Sequence, residues 1–278
     1  MKRRFRDSEE NGFDSSYWEA FKEFVQTRKI TAAFLGLLFV GLVGLIYLYA
    51  ISRDLPSLKQ LEEYKPKLAS KVYSADMRII HEYYEEKRSF VPLEEIPDAL
   101  IKAVIATEDR RFFDHWGMNI QRFAQAAFIN LVHLSYEQGA STLTQQLARQ
   151  LYLTTEKTIT RKVKELLTAI QIERTYTKDE ILEMYLNHMN FGHGAYGVQS
   201  ASLLYFGKDV RDLTPEECAM LIGMLPAPAI YTPHRNPEMT LRRRNIVLLS
   251  MREMDYITDE EYEEHLKTPI DVIPYKSR

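Results

Sequence analysis

The sequence predicts a mainly α protein, with one apolar membrane-spanning helix ahead of a helical domain that opens on a small extended hairpin. Three observations carry this. Residues 30–51, ITAAFLGLLFVGLVGLIYLYAI, hold no charge and match the roughly 20 apolar residues that cross a bilayer. Strand-like alternation is concentrated in residues 71–91, KVYSADMRIIHEYYEEKRSFV, which predicts the hairpin. From Pro97 onward apolar residues recur at helical spacing. There the pairs Thr177 with Glu180, Thr214 with Glu217 and Thr258 with Glu261 have the spacing of capping boxes that open helices.

Residues 1–29 are polar and charged, with Tyr17, Trp18, Phe21 and Phe24 near the span, and are expected to form a cytoplasmic tail ending in a short amphipathic helix. The apolar run is longer than the roughly 7 to 15 residues of a signal peptide, so the anchor is expected to stay. Lys2, Arg3, Arg4, Arg6, Lys22, Arg28 and Lys29 precede the span, against Arg53, Lys59, Lys65 and Lys67 after it. That bias favours an inside N-terminus. Residues 52–90 read as linker and hairpin, 91–250 as the main domain and 251–278 as a C-terminal linker or tail. Gly192, Gly194 and Gly197 punctuate one loop, and Pro226, Pro228, Pro233 and Pro237 keep another stretch out of regular helix.

A chain of 278 residues, 45% hydrophobic, is long enough for one substantial core besides the anchor. The net charge of −3 gives no electrostatic reason to expect a nucleic-acid partner. Cys218 is the only cysteine, which excludes an intrachain disulfide or a cysteine-based zinc site and leaves a core thiol.

Candidate chemistry begins with Glu108, on the helical stripe of Ile101, Val104, Ile105 and Phe112. A carboxylate there is partly desolvated, which raises its pKa and suits it to proton transfer. The alternative is a Glu that ends the stripe and pairs with Arg110 or Arg111. Residues 139–152, GASTLTQQLARQLY, set Leu143, Leu147 and Leu151 on one face, with Ser141, Thr142, Thr144, Gln145, Gln146, Arg149 and Gln150 around the rest. Hydroxyls and amides of this kind suit sugar hydroxyls, while an ordinary amphipathic helix with a polar outside fits equally. The next helix has its apolar face at Val163, Leu166, Leu167 and Ile170. Lys157, Arg161 and Glu165 lie opposite, beside Lys162. With Arg149, four cations surround one carboxylate, either to clamp a pyrophosphate or as a solvated face with an Arg161–Glu165 pair. His115, His133, His188 and His193 lack zinc-site spacing. Mg²⁺ held through substrate phosphates would look to Asp109 and Glu165, and no tightly bound cofactor is expected.

These segments occur in the order and wording of one family. EDRRFFDHWG (residues 108–117), GASTLTQQLARQLY, RKVKE (161–165), KDEILEMYLNHMNFGHGAYGVQSAS (178–202) and residues 221–233 resemble the five signature motifs of peptidoglycan glycosyltransferases. That family comprises the glycosyltransferase domain of class A penicillin-binding proteins and its monofunctional relatives, and the resemblance covers about residues 68–251. It implies a lysozyme-like, two-lobed domain with a head and a membrane-touching jaw, on the outer face of a bacterial cytoplasmic membrane. The substrates it implies are lipid II as acceptor and a growing glycan on undecaprenyl pyrophosphate as donor. By position, Glu108 would be the base that activates the acceptor GlcNAc 4-hydroxyl for inverting attack. Glu165 would assist departure of the pyrophosphate held by Arg149, Lys157, Arg161 and Lys162. Asp109, Ser141, Thr142, Gln146 and Gln150 would meet substrate, and Phe123, Phe128, Leu131 and Val132 would be jaw surface near lipid.

Two departures stand against the class A pattern. Pro226, Ala227, Pro228 and Ala229 occupy places where many members have Lys then Ala-Pro-Ser, although some monofunctional relatives share the first Pro. Neither Ser-x-x-Lys nor Lys-Thr-Gly occurs, so the sequence carries no transpeptidase signature. Residues 258–278 resemble the start of the class A linker. Rival readings are a glycan-cleaving enzyme of lysozyme-like fold, which has no pyrophosphate to hold, and an inactive membrane scaffold for other cell-wall synthesis proteins.

Overall fold

The computed structural model of the chain describes residues 15–55, 57–59, 70–73, 79–83, 87–119, 141–150 and 158–274. Contacts divide it into two units, Met1–Asp54 and Leu55–Arg278. The first contains helix α1, Ser15–Ser52, unbroken for 38 residues. The polar approach and the apolar run are therefore one helix rather than an amphipathic segment followed by a span. Its stretch Lys22–Ser52 has mean hydropathy 2.4 and is long and apolar enough to cross a bilayer. Large side chains such as Phe34, Leu37, Phe39 and Leu45 point outward, a surface suited to hydrocarbon. Thr31, the one hydroxyl in the run outside its tyrosines, donates to Thr27 O at 3.0 Å within the helix, so its polarity is satisfied locally.

The second unit opens on β1 (Ser70–Tyr73) and β2 (Ile79–Tyr83), paired antiparallel from Ser70↔Tyr83 to Tyr73↔Ile79 with a shift between Val72 and Tyr73. This is the expected hairpin. A two-residue β3 (Lys87–Arg88) pairs in parallel with β4 (Ala195–Tyr196). Helices then dominate: α2 (Asp98–Glu108), α3 (Leu143–Gln150), α4 (Ile159–Thr175), α5 (Lys178–His188), α6 (Val198–Tyr205), α7 (Pro215–Met224), α8 (Pro237–Glu253) and α9 (Asp259–Lys267). Capping chemistry sets the starts. Thr177 and Glu180 form a reciprocal box at α5, Thr258 and Glu261 another at α9, and at α7 the Thr214 N–H donates to Glu217 at 2.8 Å. Pro97 occupies the N-cap of α2, one place before the first helical position.

α7 lies at the centre. Cys218, Ala219, Met220, Leu221, Ile222, Gly223 and Met224 are all buried, as expected of a helix apolar on every side. Burial pushes the Cys218 thiol pKa up, in keeping with a core residue. α2 and α8 pack on α7, and Gly223 permits the close approach, since a Cβ there would come within 3.0 Å of the Arg243 carbonyl carbon. α2 contributes Leu100, Ala103, Val104 and Ala106, none with measurable exposure; each large aliphatic of this kind adds about 2 kcal/mol of burial. Arg244 of α8 is buried as well, and its guanidinium donates to Thr268 O at 2.5 Å and Leu266 O at 3.2 Å. It thus satisfies the carbonyls that close α9. α3, α4 and α5 pack together and carry the polar site.

Candidate active site

The site rests on the turn that follows α2. Asp109 is the C-cap of α2, and its Oδ2 accepts from His115 Nε2 at 2.8 Å and from the Leu143 N–H at 3.1 Å. A carboxylate at the first N–H of α3 is favoured both by that hydrogen bond and by the helix dipole. His115 Nδ1 accepts from the Gly117 N–H at 3.2 Å, which leaves Nε2 as the donor to Asp109. Gly117 has φ +97, and a Cβ there would come within 3.1 Å of Ala169 O. Its carbonyl accepts from Thr142 Oγ1 at 2.9 Å and Gln145 Nε2 at 3.3 Å. Thr142 Oγ1 in turn accepts from the Gln145 N–H at 3.2 Å and so caps α3. Farther along, Glu173 accepts from Thr144 at 2.5 Å and from Lys178 at 2.8 Å. Lys178 also donates to His115 O at 2.6 Å, so α3, α4 and α5 are tied to the turn.

Asp109 and Thr142, expected at the substrate, are each 1% exposed. Asp109 Oδ2 and Thr142 Oγ1 serve the first turn of α3 and help to hold it in place. Ser141 accepts from Lys162 Nζ at 2.8 Å, and Gln150 Nε2 lies 3.9 Å from Met189 Sδ.

Glu108 ends α2 and is half-buried. Its Oε2 accepts from Gln146 Nε2 at 2.8 Å, and Gln146 Oε1 accepts from Tyr185 Oη at 3.1 Å. Tyr185, on α5, has no exposure. Burial, then the Glu108 carboxylate, drives its pKa well above the ordinary value, so the phenol stays protonated. The two arginines weighed as partners for Glu108 have other ion pairs: Arg110 with Glu253 at 2.5 Å and Arg111 with Asp114 at 3.3 Å.

Glu165 sits differently. α4 buries Glu165, Thr168, Ala169 and Ile172, whereas Val163, Leu166, Leu167 and Ile170 are only half-buried. Of the two readings of this face, the solvated one does not hold for Glu165. α3 covers that side and supplies Arg149, so a charge is tolerated there. Glu165 is 1% exposed, with Arg149 Nε at 3.8 Å, Arg161 Nη1 at 3.5 Å and Lys162 Nζ at 3.3 Å. Three cations face one carboxylate, which leaves the cluster positive, and Arg149 and Lys162 are partly open to solvent. Burial lowers the Lys162 pKa; Glu165 opposes this, and Arg149 and Arg161 add to it. Lys157, the fourth expected cation, and the jaw residues Phe123, Phe128, Leu131 and Val132 lie outside the described residues.

One helix serves both carboxylates. Gln146, Arg149 and Gln150 are i, i+3 and i+4 on α3 and share a face; Gln146 holds Glu108, and Arg149, about 4.5 Å farther along the axis, faces Glu165. The sequence reading missed Tyr185, His115, Gly117, Glu173 and Lys178 as site supports. Nothing in the Ile181, Leu182, Tyr185 core spacing signals a hydroxyl aimed at Gln146.

The donor set does not fit a resident divalent cation. Among the described residues no group of three His, Cys, Asp or Glu side chains converges. An ion at Glu165 would enter a ring of three positive side chains, and Asp109 Oδ2 is engaged by His115 and α3.

By fold this is a mainly α chain with one apolar N-terminal helix, and by site a centre of two carboxylates, one bonded to the Gln146 amide and one among cations. The profile of the family described as Transglycosylase matches residues 76–252, well over half of the chain, and the chain belongs to that family. Similar curated proteins include Penicillin-binding protein 1A of Aquifex aeolicus, 45% identical over 248 residues that cover 88% of this chain and 34% of the relative. Another is Penicillin-binding protein 1A of Neisseria lactamica, 44% identical over 245 residues, covering 86% and 31%. The chain thus spans about a third of the length of these relatives. The crystal structure of Penicillin-Binding Protein 1A from Haemophilus influenzae aligns with a TM-score of 0.48 and 27% identity, covering 76% of this chain and 22% of that one.

Proposed function

We propose that the chain polymerises lipid II into peptidoglycan glycan strands by inverting transfer of the growing chain from undecaprenyl pyrophosphate. Glu108 takes the proton of the acceptor 4-hydroxyl as its oxygen attacks the donor anomeric carbon. The bond from that carbon to the pyrophosphate oxygen breaks, that oxygen keeps the electron pair, and the departing group, one negative charge richer than when it was bound, is received by Arg149, Arg161 and Lys162. Glu165 keeps those three cations gathered. The observation that carries the reading is the shared face of α3, which meets a carboxylate among neutral donors through Gln146 and a positive cluster through Arg149. A glycan-cleaving enzyme has no use for that cluster. On the same reading α1 anchors the protein in the cytoplasmic membrane with its N-terminus inside, and the domain works at the outer lipid surface, where lipid II and membrane lipid are its partners.

The test is polymerisation of labelled lipid II by purified protein in detergent. Wild type is expected to give long glycan, and Glu108→Gln and Glu165→Gln each to lower the rate at least about 100-fold. Absence of polymer from folded wild type, or normal polymer from Glu108→Gln, overturns the proposal.

A further inference from the structure

We propose that Tyr185 is a positioning residue for Glu108 and acts through Gln146. A glutamine side chain is ambiguous in what it offers a neighbour. Its terminal amide presents either an oxygen or an NH₂ group to a neighbour, and the two orientations differ only by a half-turn about the last torsion. Facing the Glu108 carboxylate, only the NH₂ orientation attracts; the other sets a carbonyl oxygen against a carboxylate oxygen. Gln146 alone has a weak means of choosing, because it is half-buried and water competes for either end.

Tyr185 removes the choice. Its side chain is fully buried on α5, so the hydroxyl is held from swinging away to solvent. The phenol is a donor held within 3.1 Å of Gln146 Oε1, which turns Nε2 toward Glu108 at 2.8 Å. Its proton is secure, since burial and the nearby carboxylate both disfavour the phenolate. The chain Tyr185 Oη–H to Gln146 to Glu108 thus runs in one direction, and its end fixes the oxygen Oε2. A sequence reader sees only a core tyrosine here.

The proposal rests on Glu108 being the base, and its test separates the two claims. In the lipid II assay Tyr185→Phe, which deletes one oxygen, is expected to lower kcat about fivefold to tenfold with KM within about twofold. Gln146→Leu should lower kcat at least as much, and the double variant no more than Gln146→Leu alone, because one chain has already been cut. Losses that simply add, or a change confined to KM, overturn the proposal. Should Tyr185→Phe fail to fold, Gln146→Leu decides: a fall in kcat with KM held supports the link and an unaltered kcat overturns it. A readout independent of activity is the ¹⁵N-labelled side-chain amide of Gln146 in detergent-solubilised protein. One of its protons is expected to resonate downfield, bonded to Glu108, and to move toward the solvent-exposed value in Tyr185→Phe. An unmoved amide signal overturns the positioning role even if polymerisation is normal. If wild type does not polymerise, the proposed function falls while the amide signal still decides this inference.

Discussion

Glu108 and Glu165 are both glutamates held against the short helix α3, yet their surroundings have little in common. Glu108 ends a helix, is half-buried and leans on a neutral amide that is itself held by a neutral phenol. Glu165 lies within a helix, is sealed from water and is ringed by three cations. The first takes a hydrogen bond from an uncharged side chain, whereas the second draws Arg149, Arg161 and Lys162 around it. Division of labour between two acids by environment alone is a recurring device in group-transfer enzymes, and here a single helix face provides it.

The contrast breaks most readily in stability. Glu165→Gln removes the charge that balances Arg149, Arg161 and Lys162, and is expected to destabilise the domain by about 3 kcal/mol. That is the low end for breaking a buried pair, since the cations are partly solvated. Glu108→Gln replaces a half-buried carboxylate by a similar shape and should leave the unfolding midpoint nearly unchanged while abolishing polymerisation. Thermal unfolding of the two variants side by side checks this. Equal losses of stability would mean that both glutamates are structural and that the comparison is false.

A second test perturbs the shared helix instead of either acid. Gly117→Ala forces a side chain into a left-handed backbone (φ +97) and within 3.1 Å of Ala169 O, at a cost of about 2 kcal/mol. The Gly117 carbonyl anchors Thr142 and Gln145, so the first turn of α3, and with it the register of the whole helix, loses its reference. The expected outcome is a lower rate with weaker binding of lipid pyrophosphate, read from kcat and KM together. A change in only one of them would show that the two carboxylates are positioned independently.

Much of this was legible in the sequence, and the failures are instructive. The capping Thr-Glu pairs at 177/180 and 258/261 are local, so spacing alone locates those helix starts. The α2 stripe correctly brought Glu108 to the edge of a core. The face of α4 was misjudged, because Val163, Leu166, Leu167 and Ile170 suggested one buried side while α3 covers the other. Whether a charge is buried depends on partners from another helix, here Arg149, and no local period reports that. Asp109 and Thr142 raise a related point: a carboxylate and a hydroxyl look the same in sequence whether they bond a ligand or cap a helix.

A third carboxylate, remote from both, sets the scale for the comparison. Glu216 on α7 accepts from His265 Nδ1 at 2.8 Å and Thr268 Oγ1 at 3.2 Å, and these tie α9 to the core. Burial works to raise its pKa, but hydrogen bonds from Thr214, the backbone and His265 outweigh that and hold it below the ordinary glutamate value. A carboxyl with a depressed folded pKa contributes stability that is present above its unfolded value and is lost as pH falls through the folded one. Glu216→Gln is therefore expected to lower stability by about 1 kcal/mol at pH 7. The gap from wild type should close as the pH drops below 4.5, the value of an unperturbed Glu. The measurement is the thermal midpoint at a series of pH values, with polymerisation followed at pH 7. A gap that persists at acid pH would assign the loss to packing rather than to the charge, and a large loss of polymerisation would show that the core and the two-carboxylate site are more tightly coupled than their separation in sequence suggests.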